Sequence, residues 1–304
     1  MTRPLRITWN NLLSTAAGFP PEITERQPAI DFTISLAIVK HFLGVDWLER
    51  HTSPFDSRPG YFRLDIEGEE QLAHKGGFKL VDLGELLFNL QHIQGFDSCL
   101  DRMRKGNLEP TLCELDIARM IYINDWPFQF VEPQNVKGSD YDFEIEFGQL
   151  MVCADAKCKI ESTTLGEQTV TNALSKARRQ LPEDRPGVVF IKFPGEWMNI
   201  DGFKDTLLRA GNAFFNSTTR VVSLIYYSSP INFRDGNMTH GHQFMEVHNA
   251  NNKFGKRDWR LLNRWRPPPH SANAMPPKYR RLVNFPHGFN SVPELDAAGP
   301  TDQL

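Results

Sequence analysis

The densest set of groups able to do chemistry lies between Gly138 and Lys159, GSDYDFEIEFGQLMVCADAKCK. Tyr141, Phe143, Ile145 and Phe147 alternate there with Asp140, Asp142, Glu144 and Glu146. A strand sends successive side chains to opposite faces, so the run predicts one apolar face and one carboxylate face. Gly148 and Gln149 supply a turn. The next run puts Met151, Cys153, Asp155 and Lys157 on one face and Val152, Ala154 and Ala156 on the other. Pairing as a hairpin would lay acids of the first strand beside Asp155 and Lys157 of the second. Clustered carboxylates repel one another unless a cation sits among them. A hard divalent ion such as Mg²⁺ or Mn²⁺ suits oxygen ligands and keeps positions for water and phosphate. A lysine beside it would orient or deprotonate a water, or stabilise charge on a phosphate. Those are the parts that phosphodiester hydrolysis needs. The same residues would also serve a plain solvated hairpin face.

With an acid in Ser139-Asp140-Tyr141-Asp142 and then Asp155-Ala156-Lys157 on the next strand, the segment resembles the PD-(D/E)XK nuclease superfamily. The proline of the family's name is Ser139 here, which leaves open whether Asp140 or Asp142 is the first metal ligand. The resemblance covers roughly residues 107–230. It implies an α/β fold with a restriction-endonuclease-like mixed sheet flanked by helices. It also implies a glutamate on the helix before the core strands, aimed at the metal site, and Glu114 fits that position. The expected catalytic set is then Glu114, Asp140, Asp142, Asp155 and Lys157, the four acids serving as metal ligands. A helix after the D-x-K strand usually carries amide or basic side chains near the substrate backbone. NALSKARRQLP looks like that helix, with Lys176 and Gln180 one turn apart; ordinary solvated charge is the competing reading. Lys159 continues the Asp155–Lys157 face and reads either as a phosphate contact or as a solvated strand end.

The surrounding elements must hold these groups in place. Residues 1 to about 27 read as loop. Helices are expected over 29–42, around Leu83–Ile93 and over 96–104, giving a mostly helical region through 106. A helix over 107–122 follows, with Glu114, Ile117, Ala118 and Ile121 on one face, and then a strand in Trp126–Pro133. After the hairpin come a helix at 167–181, a buried strand at Val188–Phe193, a helix at 203–215 and a strand at Val221–Tyr227. Strand-helix-strand order predicts a partly parallel sheet. Residues 107–250 form the expected nuclease-like core, and 251–304 a basic, proline-rich extension.

In that extension Lys253, Lys256, Arg257, Arg260, Arg264, Arg266, Lys278, Arg280 and Arg281 face only Asp258 up to residue 281, with Trp259 and Trp265 interleaved. Such residues can neutralise phosphates and stack on bases; the tryptophans could equally pack on the core. Arg257, Arg260, Arg264 and Arg266 are the expected nucleic-acid contacts, with DNA the favoured partner. The chain has 304 residues and a formal net charge of -3, which does not by itself advertise nucleic-acid binding. No membrane-length apolar stretch or signal-like amino terminus is present. Cys99, Cys113, Cys153 and Cys158 form no C-x-x-C pair. A cytoplasmic protein with reduced thiols is expected, and a homodimer is compatible with this reading. Rival functions are a non-catalytic binding or interaction module on the same fold, and a metal site built on His240, His242 and His248.

Overall fold

The computed structural model describes residues 4–52, 62, 70–134, 136–159, 163–234, 237–262 and 278–286, except for the side chains of 70–74 and 231–240. Six strands make one mixed sheet: β1 (Phe128–Phe130), β2 (Phe143–Phe147), β3 (Leu150–Cys158), β4 (Gly187–Lys192), β5 (Val221–Ser228) and β8 (Gln243–His248). The sheet order is β1-β2-β3-β4-β5-β8. β3, β4 and β5 run parallel, and the other neighbouring pairs are antiparallel. β6 (Ile231–Arg234) and β7 (Asn237–His240) form a separate hairpin, whose expected turn residues Asp235 and Gly236 lie outside the described residues.

The parallel order follows from two crossovers, through α8 (Glu167–Gln180) and α9 (Phe203–Phe215). Both helices cover one face of the sheet. There Val170, Leu174, Ala177, Leu207 and Phe214 pack with Cys153, Val189, Ile191, Leu224 and Tyr226. The other face is covered by helices from the amino-terminal part: α3 (Gln27–Leu43), α5 (Glu70–Leu90), α6 (Phe96–Arg104) and α7 (Leu108–Ile123). Their core includes Ile34, Leu87, Phe96, Ile117 and Ile121 together with Phe143, Ile145, Val152, Val188 and Phe190. Phe143, Ile145 and Phe147 are buried on that side, as their alternation predicts. Tyr141 breaks the period: it packs in the α8–α9 cluster with Cys153, because β2 begins only at Phe143.

Two glycines shape this part of the chain. The hairpin register pairs Phe147 with Leu150, so Gly148 and Gln149 form a two-residue loop. Gly148 has φ +66 at the first central position, where a type II′ turn needs glycine. Gly95 precedes α6 with φ +82, and a side chain there would meet the Phe130 carbonyl oxygen at 2.3 Å. Its absence lets Phe130 N–H donate to the Gln94 carbonyl at 2.9 Å and ties β1 to the helices.

The amino-terminal end departs from the loop expected of residues 1–27. It forms α1 (Trp9–Ala17) and α2 (Pro21–Thr24), followed further on by α4 (Val45–Thr52). α1 starts at a capping box in which Thr8 and Asn11 satisfy each other's backbone N–H groups. Leu12 and Ala16 then bury its inner face, and the Gln91 side chain both accepts from and donates to the Ile7 backbone. The signal was a local cap without a long apolar period, which a search for periodicity misses.

Residues 278–286 return to the amino-terminal helices. Glu85 of α5 accepts from Tyr279 Oη at 2.8 Å, Arg281 Nε at 3.1 Å and Leu282 N at 3.0 Å. Asp31 of α3 accepts from the backbone N–H groups of Asn284 and Phe285, both at 2.9 Å. Leu282 and Phe285 are fully buried. Among the described residues no helix is long and apolar enough to cross a membrane.

Candidate functional site

Asp155 sits in the second half of β3, which runs between antiparallel β2 and parallel β4. Its register partner on β4 is Val189, in the core beneath α8 and α9. That position makes Asp155 fully buried, at 0% exposure. Lys157 follows on the same face, and its Nζ lies 2.5 Å from Asp155 Oδ2. The lysine remains 20% exposed, so the pair opens to solvent at the ammonium. Nζ also donates to the Ala156 carbonyl at 3.2 Å. Neither Asp155 oxygen makes a hydrogen bond of good geometry among the described residues; Oδ2 meets the Lys157 ammonium as an ion pair. A buried oxygen left in that state is costly unless something else satisfies it.

Asp142 is the acid placed beside this pair. Its backbone N–H donates to the Ala154 carbonyl at 2.9 Å, which extends the β2–β3 register by one step toward Asp155. Its Oδ2 accepts from Ala156 N at 2.6 Å. Asp140 is held elsewhere: its Oδ1 accepts from Gln134 N at 2.8 Å within the loop before the hairpin. Of the two acids left open by the sequence, the structure brings Asp142 to Asp155.

Glu114 projects from the second turn of α7 and is 6% exposed. It forms a two-pronged ion pair with Arg102 of α6, Nη1 to Oε1 at 2.8 Å and Nη2 to Oε2 at 2.5 Å. Both of its oxygens therefore already accept charge-assisted bonds.

The charges of the cluster do not balance. Burial and the facing Asp142 push Asp155 up to about 8 despite Lys157. Burial, Asp142 and Asp155 likewise push Glu114 up to about 8 despite Arg102. Asp142 is also raised, by burial, against the pull of Lys157 and Arg102. Burial works against the charge of Lys157, but Asp155, Asp142 and Glu114 outweigh it and hold the ammonium above its ordinary value. Three acids thus share two cations, and each acid gives up some of its charge. Glu144 shows what a satisfied acid on the same hairpin looks like. Burial opposes its charge, yet bonds from Tyr141, Arg185 and Gln129 at 2.6–2.7 Å hold it below the usual range.

An oxygen-only donor set short of positive charge fits a hard divalent ion. Among the described residues, no three His, Cys, Asp or Glu side chains are gathered to hold an ion by themselves. Magnesium does not require them, since it is commonly held by one or two carboxylates with water and phosphate completing the shell. Asp142 and Asp155 could provide those two.

The other expected contacts are dispersed. The Gln180 side-chain amide donates to the Asp140 carbonyl at 2.9 Å and so fastens α8 to the hairpin. Lys176 lies near Lys159, and together with burial lowers that lysine's affinity for its proton. Arg260 pairs with Asp258 at 2.8 Å. Arg257 lies over the Trp259 ring at 5.8 Å. Trp259 itself is buried and stacked on Phe147, so it packs the core and is not presented to a base. Arg264, Arg266 and Trp265 lie outside the described residues, as does the His240 side chain. His242 Nδ1 meets Ser229 Oγ at 2.8 Å, while His248 lies 3.9 Å from Glu246. Sequence reasoning did not find Arg102, whose role rests on α6 packing against α7; its spacing from Glu114 carries no local signal. No protein-family model matches this chain, and no curated protein matches it.

Proposed function

We propose that the chain is a metal-dependent nuclease that hydrolyses phosphodiester bonds in nucleic acid, with DNA favoured. In this reading its sheet is a restriction-endonuclease-like core and the chain a PD-(D/E)XK superfamily member. The observation that carries the reading is Asp155, fully buried, with Lys157 Nζ at 2.5 Å, Asp142 beside it and an oxygen with no partner among the described residues.

Asp142 and Asp155 would hold Mg²⁺ or Mn²⁺. The bound ion would supply charge compensation for the phosphate and a more acidic water. Lys157 keeps its proton, because three acids outweigh its burial. Its N–H groups therefore act as donors to the attacking water or to a phosphate oxygen, and it does not serve as the base. The Ala156 carbonyl and Asp155 fix its direction. Glu114, held by Arg102, makes the smallest of the three acidic contributions to the Lys157 ammonium.

A second reading, a non-catalytic binding or interaction module on the same fold, is favoured by one observation: among the described residues no ready three-ligand set is assembled. Cleavage of a mixed DNA and RNA panel in Mg²⁺, Mn²⁺ or EDTA separates the two. The nuclease reading expects ion-dependent cutting that Asp155→Asn and Lys157→Ala abolish. A wild-type protein that binds but never cuts moves the module reading ahead.

A further inference from the structure

A cavity of about 180 Å³ opens at the carboxyl ends of the three parallel strands. Cys158 ends β3, Lys192 ends β4 and Ser228 ends β5, and all three line it. α5 and α7 contribute Lys75, Lys79 and Glu109 to the lining. Lys159 and Ser229 complete the polar lining. None of Glu114, Asp142, Asp155 or Lys157 belongs to it.

Among the described lining residues Lys75, Lys79, Lys159 and Lys192 are the cations and Glu109 is the acid, and Asp116 behind them pairs with Lys192. Neighbouring strands place two of these lysines. Lys159 N–H donates to the Lys192 carbonyl at 2.9 Å, which sets both side chains at one rim. Lys192 Nζ is steadied by Asp116 of α7 at 3.3 Å. Ser229 Oγ donates to the same Asp116 carboxylate at 3.2 Å and meets His242 Nδ1 at 2.8 Å. Asp116 in turn is paired with Arg119. Asp116 thus holds Lys192 and Ser229 in the cavity lining. Lys159 is crowded by Lys176 as well as by burial, and an anion would relieve it.

We propose that this cavity binds a phosphomonoester dianion, as carried by a free mononucleotide or by the phosphorylated end of a polynucleotide. Lysines act as point-charge phosphate binders. The proposal does not rest on the nuclease reading, because the two sites share no residue.

The test uses the full chain and three probes: inorganic phosphate, AMP, and matched oligonucleotides with a 5′-phosphate or a 5′-hydroxyl, all in EDTA so that cutting plays no part. Binding is followed by titration calorimetry and by thermal shift. The expected result is that the 5′-phosphate oligonucleotide binds about tenfold more tightly than its 5′-hydroxyl twin, the worth of one charge-assisted contact. Lys79→Gln and Lys159→Gln should each weaken phosphate-dependent binding by a similar factor, with unchanged folding by circular dichroism. Competition by AMP and phosphate at equal strength supports a free small anion as the source; a preference confined to the oligonucleotide supports a strand end. Equal binding of the two oligonucleotides together with no response to AMP or phosphate overturns the proposal. So does full-strength binding by the Lys79→Gln, Lys159→Gln double variant.

Discussion

Glu85 and Asp155 are both buried acids flanked by basic residues, and they differ in how their oxygens are satisfied. Glu85 accepts from a tyrosine hydroxyl, an arginine and a backbone N–H, all supplied by residues 279–282. Asp155 has one ammonium at 2.5 Å, and its Oδ1 makes no hydrogen bond among the described residues. Burial raises both acids above the ordinary carboxylate range. Burial alone therefore does not separate a structural acid from the proposed functional one. Their lone pairs differ: those of Glu85 are taken up in joining distant segments, whereas those of Asp155 are where the proposed cation would bind.

The largest effect should come from Glu85→Ala. It strands Arg281 and unties residues 279–282 from α5, at a cost of about 3–5 kcal/mol, the range for breaking a buried pair. Chemical denaturation measures it. Asp155→Asn without metal should cost far less, because no donor beyond Lys157 is left behind. A loss as large as that of Glu85→Ala would place Asp155 among the structural acids.

Catalysis comes next. Asp155→Asn and Lys157→Ala should each lower cleavage by about a hundredfold or more, the scale for losing one preorganised charge in an active site. Glu85 variants that remain folded should cut normally per folded molecule. Glu114→Gln should fall between these limits, since its carboxylate is already paired with Arg102. Rates measured on a single labelled duplex would rank them.

Metal supplies a smaller handle. Mg²⁺ or Mn²⁺ without nucleic acid should raise the melting temperature of the wild type, by about 2.7 kcal/mol of stabilisation when the ion is at a hundred times its Kd. Asp155→Asn should remove the shift and Glu85→Gln should not. An equal shift in both variants would locate the ion elsewhere.

The last handle is pH. Asp155 and Glu114 are held at about 8 in the folded chain, above their unfolded values near 4. Folding then takes up protons in that window, so their stabilising contribution is complete below about pH 4 and fades as pH rises through 8. The stability difference, wild type minus Asp155→Asn, should fall between pH 5 and 8.5 in EDTA. A difference that rises with pH would mean Asp155 is ionised in the fold and fully paired.

Much of this was legible before any coordinates. The two-residue period of Phe143–Phe147 and of Met151–Lys157, with Gly148 between them, determined a hairpin with Asp155 and Lys157 on one face, because strand geometry leaves no other arrangement. The apolar strands at 188–193 and 221–227, alternating with helices, determined a partly parallel sheet. Local patterns could not choose between Asp140 and Asp142. That choice came from the register, in which Asp142 N–H reaches the Ala154 carbonyl while Asp140 closes its own loop on Gln134. Only the tertiary structure paired Glu114 with Arg102, buried Trp259 against Phe147 and brought residues 279–285 to Glu85 and Asp31. Except for Glu114 and Arg102, which meet through the packing of two helices, these contacts join residues more than a hundred positions apart, and no periodicity in the sequence encodes which partner a buried polar group will meet.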